Sequence, residues 1–425
     1  MLSRSILACA PSIVRRRAFS AACAFTGGSN PAHYTPEHEA FRQSVRSFVE
    51  GEIEPHIDAW EADEAFPREL YAKAGEVGLL GLGFPEELGG VPGDPFLNYV
   101  AHAELCRSGS GGLCAGLMSH TIALPPVVKM GSAEQHERIA RPVLAGEKVM
   151  ALGITEPGGG SDVANLGCRA ERDGDHYVLN GEKVFITSGV RADYITTAVR
   201  TGDAGSGAGG ISVLVVQGGG PDGAFAVGSA EEQAAGLTRT KLSKMGWACS
   251  DTAALHFDNY RVPVANLLGE ENRGFGGIMA NFNNERFMLA VWAVEMAAVA
   301  TNEALEWARE RHTFGAPLLQ HQVIRHRLVD MHMRICATRS TAESLGARLQ
   351  AGENSKQLVS ELCMLKVQAT DTAEYCAGHA VQILGGAGYM TGSKSERIFR
   401  ETKVLAIGGG ASEIMKDLAT RQLGW

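Results

Sequence analysis

The sequence predicts an α+β fold in three parts: an N-terminal α-helical domain (37–150), a middle antiparallel β domain (151–265) and a C-terminal helical bundle (266–425). Three observations carry this. Apolar residues recur at helical spacing up to about residue 150; β-type runs bounded by Gly, Asp and Asn replace them up to about 265; and a run at 287–300 then follows whose only charge is Glu295. A helix that is apolar nearly all round belongs inside a bundle. The 425 residues, 45% hydrophobic and 20% charged, supply ample core for two or three domains. A net charge of −9 argues against nucleic-acid binding, which depends on clustered Lys and Arg. The apolar run is also too short to serve as a transmembrane segment.

The first 36 residues stand apart. Arg4, Arg15, Arg16 and Arg17 occur among several Ser and Ala, with no acid before Glu37. This is the composition of a cleavable mitochondrial or plastid presequence, with a disordered extension as the alternative. Its apolar stretch, 6–14, is interrupted by Cys9, Pro11 and Ser12, unlike a secretory signal.

Helical patterns follow at 39–53, 70–79, 99–106, 122–130 and 134–144, punctuated by clusters such as Gly89-Gly90-Val91-Pro92-Gly93. The small residues of 108–116 (SGSGGLCAG) leave room for the floor of a deep pocket. In the middle domain, Asn180-Gly181 between 177–179 and 184–187 predicts a two-residue hairpin turn, and 195–199, 211–216 and 253–257 are further strands. Segments 201–210 and 228–236 read as surface loops. Just before the strands, ALGITEPGGGSD (151–162) offers a glycine-rich backbone able to present N–H groups to a ligand; it is neither a Walker sequence nor GxGxxG, so a tight structural turn is an equal reading. QILGGAGY (382–389) ends a long helical stretch, where glycine is the usual stop.

Glu285 opens the apolar helix, with Phe282, Met288, Leu289 and Trp292 on its own face. Desolvation raises a carboxyl pKa, which suits a general base, although pairing with Arg286 or helix capping is the simpler role. The nine cysteines lack CxxC spacing and read as reduced thiols; His312, His321, His326 and His332 lack the spacing and companions of a metal site.

Together, ITEPGGGSD (154–162), NGEKVFITSG (180–189), RVPVANLLGEENRGF (261–275), ARERHTFG (308–315) and QILGGAGY (382–389) resemble the signatures of the acyl-CoA dehydrogenase family, in order and spacing, over almost all of 37–425. The resemblance implies a C-terminal four-helix bundle and an FAD enzyme forming the 2,3-double bond of an acyl-CoA, and the small residues of 108–116 lean towards a medium or long chain. A branched short-chain (isovaleryl-type) substrate, an acyl-CoA oxidase and a non-catalytic mitochondrial assembly protein are the alternatives; nitroalkane-oxidising relatives differ in using an aspartate base. Residues Leu152, Ile154, Thr155, Ser161, Phe185, Ile186 and Thr187 would meet the flavin ring, Phe185 standing where many members carry Trp. Arg311, Phe314, Gln322, Gln382, Ile383, Leu384, Gly385 and Gly386 match positions reaching a partner subunit's FAD, and Ala411 and Glu413 match others near its adenine.

Many members carry their catalytic glutamate in a terminal Tyr-Glu-Gly-Thr pattern, where this chain has Gly408, Gly409, Gly410 and Ala411. A subset that includes isovaleryl-CoA and long-chain dehydrogenases supplies the base from the position of Glu285 instead. The resemblance therefore implies Glu285 as base, the Gly409 N–H as a donor to the thioester oxygen, and Ser161, Arg286 and Asn283 as contacts of the CoA portion. It further implies electron-transfer flavoprotein as electron acceptor, a homotetramer built as a dimer of dimers, and the mitochondrial matrix.

Overall fold

Residues 28–425, apart from 204, 221–222 and 280–281, are described by a computed structural model. The presequence assignment therefore lies largely outside the described residues. Its last part does not stand apart from the fold: the Tyr34 hydroxyl donates to Glu343 at 2.7 Å, and the His33 ring stacks on Phe96 at 4.7 Å. Uncharged, aromatic and proline-bearing, residues 28–36 can pack against the bundle as the arginine-rich stretch before them cannot.

Helix α1 (Pro36–Phe48) begins at a capping box in which Thr35 accepts from the His38 N–H, with Pro36 at the first helical position. Helix α2 (Pro95–Cys106) is capped by Asp94 and buried on most of its surface. Between 120 and 144 the expected helices are divided into short segments, because Pro125 and Pro142 lack the N–H that would carry each run through.

The middle domain contains strands β1 (Met150–Gly153), β2 (Arg169–Asp173), β3 (His176–Thr187), β4 (Tyr194–Arg200), β5 (Ile211–Gln217), β6 (Leu237–Lys241), β7 (Thr252–Pro263) and β8 (Leu267–Leu268). Their order is β6-β7-β3-β2-β4-β5-β8, with β1 also beside β4. Most pairings are antiparallel, but β1 and β2 each run parallel to β4, so the sheet is mixed. The expected hairpin at Asn180-Gly181 is not formed. One strand, β3, runs straight through it, and the register against β7 shifts between Leu179 and Gly181. Gly181 is required there for close approach rather than for a turn: its φ is +136°, and a Cβ would lie 2.8 Å from the Cys168 Cα.

Four long helices build the bundle: α3 (Phe282–Glu310), α4 (Gln322–Gln350), α5 (Lys356–Leu384) and α6 (Lys394–Ile407), followed by α7 (Ser412–Leu423). The stretch 275–310, of which 280–281 lie outside the described residues, is long and apolar enough to cross a membrane on length and composition, but its apolar window is mostly buried inside the protein. The single charge of the run is neutralised where it is buried. Glu295 receives two hydrogen bonds from Arg339 of α4, at 2.8 and 2.7 Å, and one from the Tyr99 hydroxyl of α2 at 2.8 Å. Three helices are thereby joined at one carboxylate. Removing one partner of such a pair strands the other charge, so Arg339→Met is expected to lower stability by about 3 kcal/mol or more, read as the unfolding midpoint of the full chain. An unchanged midpoint would show that the pair contributes nothing to holding the bundle.

Candidate active site

Glu285 sits in the first turn of α3, where burial of the helix fixes its direction. Protein atoms crowd the carboxyl while some surface stays open. Burial pushes its pKa up to about 7, with Arg286 and Lys366 opposing that rise. Neither simpler role is realised: among the described residues no hydrogen bond or ion pair to Glu285 forms, and Arg286 turns to Asn283 Oδ1 at 3.1 Å. Arg286 itself is buried, its guanidinium lies 5.6 Å from the Phe282 ring, and its Nε has no hydrogen-bond partner.

Opposite Glu285 lies the glycine run. A Cβ on Gly409 would stand 3.4 Å from Glu285 Oε1, so the two positions face one another although 124 residues separate them in the chain. The same Cβ would collide with Leu289 Cδ1, and Gly409 has a φ of +65°. Both features favour glycine at this position and disfavour a glutamate there. Lys366 of α5, fully buried, donates to the Gly410 carbonyl at 2.7 Å.

The second part of the site is on the sheet. Thr155 O accepts from the Val184 N–H at 2.8 Å, joining the 154–162 loop to β3. A second irregularity in the β3–β7 register, between Lys183 and Ile186, coincides with a φ of +62° at Phe185. Such a bulge re-aims a side chain, and the Phe185 ring is left 70% exposed at the sheet surface. Lys183, fully buried, donates to Ile154 O at 3.1 Å and to Glu156 Oε1 at 2.7 Å. Glu156 in turn accepts from the Gly167 and Cys168 N–H groups. A buried ion pair thus braces the loop from below. Above it, Gly158 and Gly159 leave open space where a Cβ would be, and Ser161 is exposed. Thr155 and Thr187 remain half-exposed beside Phe185, whereas Ile154 and Ile186 point into the core and offer only their backbone.

Three consecutive family domains match the chain: the acyl-CoA dehydrogenase N-terminal domain over residues 35–147, the middle domain over 151–260 and the C-terminal domain over 272–424. The chain belongs to the acyl-CoA dehydrogenase family. It is 35% identical to the mitochondrial long-chain specific acyl-CoA dehydrogenase of Rattus norvegicus over 92% of this chain and 87% of that protein. With the mitochondrial isovaleryl-CoA dehydrogenase of Oryza sativa subsp. japonica it shares 32% identity over 91% and 90%. A crystal structure of a probable acyl-CoA dehydrogenase from Mycobacterium abscessus superposes with a TM-score of 0.86, at 46% identity over 92% of this chain and all of that one. As a member of this family the protein is an oxidoreductase that uses FAD. The site fits the group: a glycine loop with open space at Gly158 and Gly159 is joined to β3 through Thr155 and Val184, and Thr155, Thr187 and the exposed Phe185 ring remain accessible there.

The remaining expected residues are dispersed on the single chain. Arg311, Phe314 and Gln322 are exposed around the α3–α4 turn, where Phe314 is in ring contact with His321; among the described residues no hydrogen bond joins them to the 152–161 loop. Gln382, Gly385 and Gly386 are exposed at the end of α5, but Ile383 and Leu384 are buried in the core. Ala411 is half-buried and Glu413 exposed at the start of α7.

The small residues of 108–116 do not floor an open pocket. The space beside Gly111 and Gly112 is taken by Trp247, and a Cβ on Gly116 would lie 2.7 Å from the Phe66 ring. Glycine here admits aromatic neighbours rather than a ligand. Lys366, Lys183 and Glu156 were not singled out from sequence. The available signal was a lone lysine in each of two otherwise apolar patterns, Leu362–Val367 within α5 and Lys183–Ile186 within β3. If Lys183 braces the flavin loop, Lys183→Met is expected to raise the FAD dissociation constant by about tenfold, the loss of a charged hydrogen bond. Flavin fluorescence during dialysis measures this, and unchanged retention would assign Lys183 to the core alone.

Proposed function

We propose that Glu285 is the catalytic base of an acyl-CoA dehydrogenase that forms the 2,3-double bond of the thioester. The observation that carries the reading is the facing pair: a desolvated carboxyl at Glu285 and, opposite it, a glycine run without any carboxylate. A thioester α-proton is weakly acidic, so its removal requires donors at the carbonyl oxygen as charge develops there. The Gly409 N–H is the backbone donor in this reading. Glu285 accepts the α-proton at a carboxylate oxygen, and its raised pKa makes it a stronger base than an exposed glutamate. FAD, when bound between the loop 152–161 and the bundle, supplies the acceptor for the β-hydride. Arg286, Asn283 and Ser161 hold the CoA portion, Arg286 with a buried Nε still lacking a partner.

Electron-transfer flavoprotein as acceptor, a homotetramer and a mitochondrial matrix location complete the reading. In it, exposed Arg311, Phe314, Gln322 and the 382–386 turn face a partner subunit's FAD, with Ala411 and Glu413 near its adenine. The substrate is an acyl-CoA of medium or long chain, in line with the long-chain relative. A branched short chain is the second reading, favoured by Trp247 and Phe66 occupying the space beside the glycines. Activity across straight and branched acyl-CoA lengths separates the two.

Glu285→Gln keeps the size and removes the basicity, so flavin reduction by acyl-CoA is expected to fall at least about a hundredfold, with FAD binding intact. A base works deprotonated. With the carboxyl pKa raised to about 7, the rate is expected to rise as pH passes upward through that value. A rate unaffected by Glu285→Gln would refute the assignment. Arg311→Ala is expected to weaken FAD retention and subunit association together, measured by flavin content and sedimentation. Loss of neither would refute the shared-cofactor arrangement.

A further inference from the structure

We propose that Lys366 is a positioning residue of this site, holding the 408–410 turn in place and setting its own ammonium group behind the face of that turn opposite Glu285; the inference rests on the reading of Glu285 as base.

Lys366 lies in mid-α5 and is wholly inaccessible to solvent. Burying an ammonium group is unfavourable unless its charge is answered. Among the described residues Lys366 forms no ion pair within 4 Å, and its hydrogen bond goes to the Gly410 carbonyl. That carbonyl belongs to a turn whose two residues, Gly409 at φ +65° and Gly410 at φ +107°, lie in a region only glycine occupies readily. Glycine peptides rotate easily. Fixing the Gly410 carbonyl fixes the 410–411 peptide plane; it thereby limits the glycine rotations that connect it to the two preceding planes, the second of which carries the Gly409 N–H.

The second part of the argument is charge. The groups that bear on Lys366 are Glu285 and Arg286 of α3 and the Cys363 thiol one turn away on its own helix. Those that bear on Glu285 are Arg286 and Lys366. Burial pulls the lysine pKa down to about 8 while Glu285 holds it up, and the lysine charge in turn draws the carboxyl pKa down. The two groups thus stabilise one another's ionised forms across the turn. A lysine buried only for packing would leave the ionisation of Glu285 indifferent to its removal.

The test compares Lys366→Met, which removes donor and charge, with Lys366→Gln, which keeps a donor without charge. In both, the acid limb of the pH profile for flavin reduction is expected to move up by about one unit. The plateau rate is expected to fall about tenfold in Lys366→Met but less than about threefold in Lys366→Gln, because only the former releases the turn. Independently of turnover, the infrared band of the protonated carboxyl that is absent from Glu285→Gln reports the ionisation of Glu285. Its midpoint is expected to shift upward with the acid limb. If Lys366→Met does not fold, Lys366→Gln carries the same infrared and pH measurements. An unmoved midpoint in the folded variants overturns the proposal while leaving Glu285 as base. Full activity in Glu285→Gln overturns the base assignment itself, and the proposal with it.

Discussion

Because α3 is apolar on nearly every side, it must be enclosed by the other helices, and that enclosure is the constraint on which the rest of the structure depends. Residues from Phe287 to Ala300 are buried almost without break, against α2, α4, α5 and α6. Nothing about this run distinguishes one rotation of the helix from another by hydrophobicity alone. The polar exceptions set the rotation: Glu295 must reach Arg339 and Tyr99, and the Trp292 indole N–H must reach His102 at 2.7 Å. With the helix held by those bonds, Glu285 at its entrance has a defined direction. It faces the glycine run.

The same economy governs the charges around that face. A carboxylate in a desolvated pocket is a strong base only if it can still ionise near neutral pH, and full isolation would push its pKa too far upward. Arg286 and Lys366 moderate the rise without forming the close pair that would quench basicity altogether. The buried Glu295 shows the contrasting arrangement. It is held below the usual carboxylate range by a bidentate arginine, and it serves structure rather than chemistry.

Two buried lysines perform comparable tasks on the two halves of the site. Lys183 ties the 154–156 backbone to Glu156 beneath the glycine cradle, and Lys366 ties the Gly410 carbonyl behind the glycine turn. In each case a glycine-rich backbone, free to rotate by itself, is held by a charged hydrogen bond from a buried lysine. The positive φ at Phe185 and the bulge that accompanies it leave the ring exposed at the sheet surface.

The period of the apolar residues separated helical, β and helical parts of the chain, and Glu285 at the mouth of an apolar helix became the candidate base only through the family resemblance, with the glycines at 408–410 where many members carry theirs. Short-range patterns were less reliable. Asn180-Gly181 has the composition of a hairpin turn, yet it forms a bulge, because the strand found a longer partner in β7 and the glycine was needed against Cys168. The small residues at 108–116 resemble the lining of a cavity, yet Trp247 and Phe66, distant in sequence, fill the space. Leu289 against Gly409, Lys366 under Gly410 and Lys183 under Ile154 are contacts between elements that the chain brings together only on folding. Composition and periodicity report what a residue prefers to be near; which neighbour it obtains is decided by tertiary packing, since burial fixes distances that sequence separation leaves free.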